Sequence, residues 1–248
     1  MRDFEASTLW RVSEFERVRF RTGTSGFASL GTATVLPTTL LADLRRLDAG
    51  GESNDLLEVV AACIRHREAA LLCLQYEGLV WPITLFPQQG VYHSPRDLAL
   101  ATRHGLEQTS LISADPPGVR PPGHYQQERV ANADLYRPIE LLLWSLALNG
   151  PRALLLAEIS GTAAYRAVKN LDDRVPMTGP TRSAFDRLRR ETVALRTMST
   201  WPGMSADRAC RLLNGLYLNS ALLVTRGHPA ARPEPRDLRS IFGSKPRR

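Results

Sequence analysis

Residues 70 to 86 constrain the fold of this 248-residue chain more than any other stretch. Leu71-Leu72-Cys73-Leu74-Gln75-Tyr76 and Leu79-Val80-Trp81-Pro82-Ile83-Thr84-Leu85-Phe86 are two apolar runs separated only by Glu77-Gly78. A two-residue connection with glycine at its second position predicts a β-hairpin, because glycine reaches the left-handed dihedrals that such turns need. Pro82 cannot donate to a ladder, so the second strand is expected at a sheet edge or with a bulge.

Helical patterns precede the hairpin. Thr38 or Thr39 can cap a helix with Leu40, Leu41, Leu44 and Leu47 on one face, stopped at Gly50-Gly51. A second helix starts near Ser53 or Asn54 and repeats Leu56, Leu57, Val60, Ala61 and Ile64, with Arg65, His66 and Arg67 suiting its C-terminal dipole. Residues 11 to 36 read as strand or loop. After the hairpin, Ser94-Pro95 opens a helix that Gly105 ends.

Asp115-Pro116-Pro117-Gly118-Val119-Arg120-Pro121-Pro122-Gly123 stiffens the chain and lacks ladder donors. A domain boundary is drawn there; an active-site lid is the competing reading. The expected fold class is α+β. Residues 1–114 form an α+β domain with the hairpin, 115–124 a Pro/Gly-rich linker, 125–228 a mostly helical winged-helix-like domain, and 229–248 a basic flexible tail. Leu135 to Leu148 reads as an apolar helix broken by Asn149-Gly150-Pro151, and Arg152 to Ile159 as helix or buried strand.

The net charge of +7 raises the question of a polyanionic partner. Thr225 to Arg248 holds seven basic residues against Glu234 and Asp237, so this stretch carries +5 and the remainder about +2. Attraction at long range is therefore assigned to the tail, and the body must rely on local clusters. No apolar run approaches the roughly 20 residues of a membrane span, so no membrane insertion is expected. Met1-Arg2-Asp3-Phe4-Glu5 lacks an apolar leader core, and cytoplasmic placement is expected. Cys63, Cys73 and Cys210 are odd in number and lie in apolar stretches, which suits buried free thiols.

The C-terminal half carries the most suggestive pattern. Thr178-Gly179-Pro180 predicts a helix running to about Met198, with Phe185, Leu188, Thr192 and Leu195 inward. Arg182, Arg189 and Arg196 recur every seven residues and would line one stripe of it. Trp201-Pro202-Gly203 breaks the chain, Ser205 caps a helix with Ala209, Leu212, Leu213 and Leu216 inward, and Asn219 is the expected left-handed stop. Ala221 to Val224 then reads as a strand and Thr225 to Pro229 as a tight turn. Residues 160 to 228 in this order resemble the winged-helix modules of bacterial signalling and regulatory proteins. That resemblance implies macromolecular binding, with Arg208, Arg211 and Asn214 facing a groove and Arg226 reaching phosphate from the wing. The apolar Leu216-Tyr217-Leu218 end favours a protein partner instead. Residues 53 to 93, with a helix over Leu56 to Arg67 and strands over Ala70 to Val91, resemble the PATAN-type bacterial regulatory domains, which implies an adaptor role.

Motifs for phosphate loops, dinucleotides, zinc proteases and serine hydrolases are absent from the sequence. Gly23-Thr24-Ser25-Gly26 reads as a turn, Asp172-Asp173 as a solvated one, and Cys63, His66, Cys73 and His93 match no zinc spacing. Trp81, Tyr92, Trp144 and Trp201 read as core or interdomain anchors, Trp201 becoming a partner contact only if exposed beside Arg196. No cofactor, metal or catalytic residue is expected. The reading is a non-catalytic adaptor with a protein partner first and a nucleic acid second, through Arg182, Arg189, Arg196, Trp201, Arg208, Arg211, Asn214 and Arg226. An enzyme acting on a small molecule comes third.

Overall fold

The computed structural model describes residues 9–22, 35–51, 55–98, 105–169, 175 and 177–232. The Gly23–Gly26 turn, the Ser53 and Asn54 caps, most of the helix expected after Ser94, the Asp172-Asp173 pair and the chain beyond Arg232 lie outside the described residues.

The hairpin forms as expected, from β2 (Ala70–Tyr76) and β3 (Leu79–Phe86). Both turn residues have positive φ, 49° at Glu77 and 73° at Gly78, the twist a two-residue hairpin requires. β3 is nevertheless internal. Besides β2 it pairs with β1 (Trp10–Arg11) at Leu79 and Val80, and with β4 (Val91–His93) from Thr84 to Phe86. Proline is tolerated there for a local reason. Tyr76↔Leu79 closes the turn as a hydrogen-bonded pair, so the alternation makes Cys73↔Pro82 a non-bonded pair in which the position's N–H direction faces away from β2. On that far side β1 ends at Val80 and β4 begins at Thr84, leaving Pro82 opposite a gap. The register shift in this region is in the pairing of β2 with β5 (Ser110–Asp115), where Ile112 of β5 is the extra residue between Cys73↔Ser113 and Leu74↔Leu111.

The sheet is antiparallel, in the order β5-β2-β3-β4-β6, where β6 is Tyr136–Pro138. Ala70, Leu72, Leu74 and Tyr76 join Trp81, Ile83 and Leu85 on the main core face, while Leu71, Cys73 and Val80 face the other way. That second face is covered by α1 (Val12–Thr22), whose Phe15 is wholly buried against it. Residues 12–22, read as strand or loop, are thus helical; only Phe15 and the partly buried Val12 of this helix pack against that small cluster, too little apolar repeat to mark a helix in sequence.

On the main face lie α2 (Thr38–Ala49), α3 (Leu56–His66), α4 (Ile139–Asn149) and α7 (Ala206–Leu218), which contribute to one continuous core. α2 follows Pro37 with no side-chain cap, whereas the Asp55 carboxylate caps α3 by accepting from the backbone N–H groups of Leu57 and Glu58. Asp43 on α2 takes a hydrogen bond from His66 on α3 at 2.8 Å, which, with Arg65 and Arg46 nearby and against the effect of burial, holds its carboxyl below the usual range.

Sheet and core both cross the boundary drawn at 115–124. β6 is an edge strand of the N-terminal sheet, Val119 is buried, and the Tyr136 hydroxyl accepts from the Ala131 N–H while donating to the Arg120 carbonyl. Beyond that boundary α4 packs closely against α7. Gly215 lies against the ring of Trp144, and a Cβ at that position would overlap the indole.

The C-terminal elements are β7 (Ala164–Ala167), α5 (Gly179–Leu188), β8 (Val193–Ala194), α6 (Leu195–Met198), α7 and β9 (Leu222–Thr225), with sheet order β8-β7-β9. The helix expected to reach Met198 stops at Leu188, because Val193 and Ala194 are buried as a strand paired with Tyr165 and Ala164. Ser205 caps α7 as expected, and the left-handed residue after it is Ser220, one beyond Asn219. The sheet's central strand comes from before α5, and a single strand follows α7 among the described residues.

Gly215→Ala is expected to destabilise the protein by about 1–3 kcal/mol through overpacking against Trp144, as measured by denaturant unfolding.

Candidate macromolecule-binding surface

Charge is segregated along the folded chain. The described residues before 170 hold fifteen basic and fifteen acidic side chains, whereas 177–232 hold nine arginines against Asp186, Glu191 and Asp207, a net +6. Arg226 and Arg232, counted with the tail in sequence, belong to this folded unit. Arg226 donates to the carbonyls of Ser160 at 3.0 Å and Glu158 at 2.9 Å, and the Arg232 carbonyl accepts from Arg196 at 2.6 Å.

The anticipated contact residues divide into three groups. Arg182 and Arg189 sit on or just after α5. Arg182 is half-buried, 3.8 Å from Asp186, with its guanidinium 5.9 Å from the Phe185 ring; Arg189 is exposed. Arg196 is exposed on the separate α6, so the seven-residue spacing does not make one helical stripe.

Trp201 and Asn214 are interior. Trp201 is 7% exposed and carries the guanidinium of Arg187 at 4.4 Å from its ring, a cation–π contact absent from the sequence reading because the partners are fourteen residues and several elements apart. Asn214 is completely buried. Its Oδ1 accepts from the Leu156 N–H at 3.0 Å and its Nδ2 donates to the Leu154 carbonyl at 2.9 Å, so its amide serves the connector 152–160 and is not presented to a nucleic-acid groove. α7 as a whole buries Ala209, Cys210 and all of Leu212 to Leu216, leaving only its first turn exposed.

Arg208 and Arg211 are the pair brought together. Both line a cleft of about 230 Å³ with Leu148, Asn149, Met177, Thr178 and Thr181. Arg208 donates to the Gly203 carbonyl at 2.6 Å, and Arg211 to the carbonyls of Gly150 at 2.7 Å and Leu148 at 3.2 Å, where it closes the end of α4.

The sequence reading also missed a groove on the other side of the molecule. One part, about 420 Å³, is lined by Arg67, Glu68, Arg120, His124 and the exposed Tyr125, which stacks on His124. It shares Arg67, Pro87 and Gln88 with a larger concavity of about 980 Å³ that contains Glu140 and Lys169. These residues come from five separate stretches of the chain, and no local spacing signals their meeting.

Burial acts on the three thiols and on His93. The thiols of Cys63 and Cys73 are pushed up to about 12 and that of Cys210 upward, so they stay protonated and poorly nucleophilic near neutral pH. Burial, and then the Arg137 cation, push the His93 imidazole down to about 4. No group of three or more His, Cys, Asp or Glu that could hold a metal is found among the described residues, and none of their helices is long and apolar enough to cross a membrane. No protein-family model, curated protein or solved structure matches the chain.

Asn214→Ala should cost about 1–3 kcal/mol, since it leaves the buried Leu156 N–H without its acceptor, whereas Arg189→Ala should stay within about 0.5 kcal/mol; chemical unfolding of both variants checks the contrast. His93 yields a pH dependence of definite sign. Its folded value lies below the unfolded one of about 6.5, so its stabilising contribution is complete above that pH and is lost as the pH falls towards 4. Between pH 7 and 5 the unfolding free energy of the wild type should drop by on the order of 2 kcal/mol more than that of His93→Gln.

Proposed function

We propose that the protein is a non-catalytic regulatory adaptor that docks an acidic protein surface through residues 177–232. The observation that carries this reading is the segregation of charge: a net +6 on this unit beside a neutral remainder of the described chain. Three of its arginines, Arg208, Arg211 and Arg226, are held by backbone carbonyls, which position a guanidinium without neutralising it. Each has five N–H donors, so further donors remain for a partner, and prior ordering lowers the entropy cost of binding.

A nucleic acid is the second reading, favoured by the same arginines. Contacts from this surface would run to phosphates and carry little sequence information, because α7 is packed into the core with Asn214 and cannot enter a major groove as a recognition helix.

Duplex-DNA binding over a salt series separates the two, comparing the full chain with one ending at Arg232. Cutting there spares the buried Ala231 and the Arg196 bond to the Arg232 carbonyl. The adaptor reading expects weak, sequence-blind binding whose salt dependence shrinks when residues 233–248 are removed, as for counterion release by a basic tail. Sequence-specific, sub-micromolar binding by the shortened chain would overturn it.

A further inference from the structure

We propose that the cleft between α4, the start of α5 and the start of α7 binds a small dianionic oxyanion of the phosphate class, a site that goes beyond the docking of a macromolecule. The cleft holds two guanidinium groups, Arg208 and Arg211, and among the described residues its lining contains no carboxylate. Neither arginine lies within ion-pair distance of an acid among the described residues, although Asp207 is adjacent in sequence. This contrasts with Arg182 and Arg187 on α5, which are matched by Asp186 and Glu191.

Both guanidiniums are fixed by their carbonyl partners, Gly203 for Arg208 and Leu148 and Gly150 for Arg211. A guanidinium anchored through one nitrogen keeps donors for an oxyanion and loses little rotamer entropy on binding it. The other polar groups of the lining suit the same ligand. Thr178 precedes α5 without capping it, so its hydroxyl is not used by the helix, and Thr181 and Asn149 add a hydroxyl and an amide.

Charge and size select the class of ligand. Two fixed cations without a counter-charge among the described residues call for two negative charges, which a phosphate group approaches near neutral pH and a single carboxylate does not. A volume of about 230 Å³ lies below the roughly 300–1,000 Å³ of drug-sized ligand pockets, so the anion is small or carries only a small substituent.

The test uses the full chain and inorganic phosphate. Thermal unfolding is followed in rising phosphate against chloride at equal ionic strength and against acetate, and phosphorus NMR line broadening reports binding directly. Arg208→Gln removes one cation from the cleft, Thr178→Val removes a hydroxyl from it, and Arg189→Gln removes an equal charge outside it. The expected result is a phosphate-dependent rise in Tm beyond chloride and acetate, with saturable broadening. The apparent affinity should fall at least about tenfold in Arg208→Gln and measurably in Thr178→Val, and hold in Arg189→Gln. The proposal is overturned if phosphate does no more than chloride or acetate, or if Arg189→Gln weakens the response as much as the cleft variants. Should Arg208→Gln not fold, Thr178→Val against Arg189→Gln decides by the same criterion. A negative result leaves the DNA titration and the docking reading untouched.

Discussion

Arg152 is the residue on which the union of the two halves turns. Its guanidinium is bonded to Asp55 and lies 2.8 Å from Glu58, both from the start of α3, and Glu58 is only 3% exposed. The same Glu58 oxygen, Oε1, also accepts from the Ala157 N–H at 2.8 Å. A buried carboxylate survives only if paired and hydrogen-bonded, and removing one partner of such a cluster typically costs about 3–5 kcal/mol.

The connector 152–160 depends on that cluster, because it is neither a long helix nor a strand and cannot satisfy its own backbone. Its groups are served by side chains from everywhere around it. Asn214 takes Leu154 and Leu156, Arg152 itself returns to Leu154 and Leu155, Tyr165 donates to Ile159, and Arg226 donates to Glu158 and Ser160. This concentration of polar bonds against one irregular strip aligns α3, α7 and β9 with one another, and the apolar seam of Trp144 against Gly215 then closes over it.

The same use of arginine links architecture to the proposed function. Arginine side chains that terminate helices or hold connectors keep their charge while losing their freedom, so a folded surface accumulates fixed positive charge where acids are scarce. Among the described residues before 170 basic side chains meet equal numbers of acids, as in the Asp43, Arg65, Glu158 network, and no such field develops.

By itself the sequence determined what depends on neighbours in the chain. The hairpin, the two leucine-rich helices, the helix broken at Asn149-Gly150, the Ser205 cap and the buried thiols are legible because period, turn dihedral and capping chemistry act within a few residues. Tertiary structure decided the rest. Phe15 makes a helix of residues 12–22 by covering the rear of a sheet, Pro82 is admitted to an internal strand by a gap between two others, and Val193 ends a helix by pairing with Tyr165. Asn214 and Trp201 looked like contact residues since a polar or aromatic side chain has the same local signature inside and outside. Only the distant groups facing it, Leu154 and Leu156 for one and Arg187 for the other, determine on which side it lies. Likewise the count of arginines was visible, but which of them stay unmatched by acid is set by the fold, because ion pairing is a matter of a few ångströms in space.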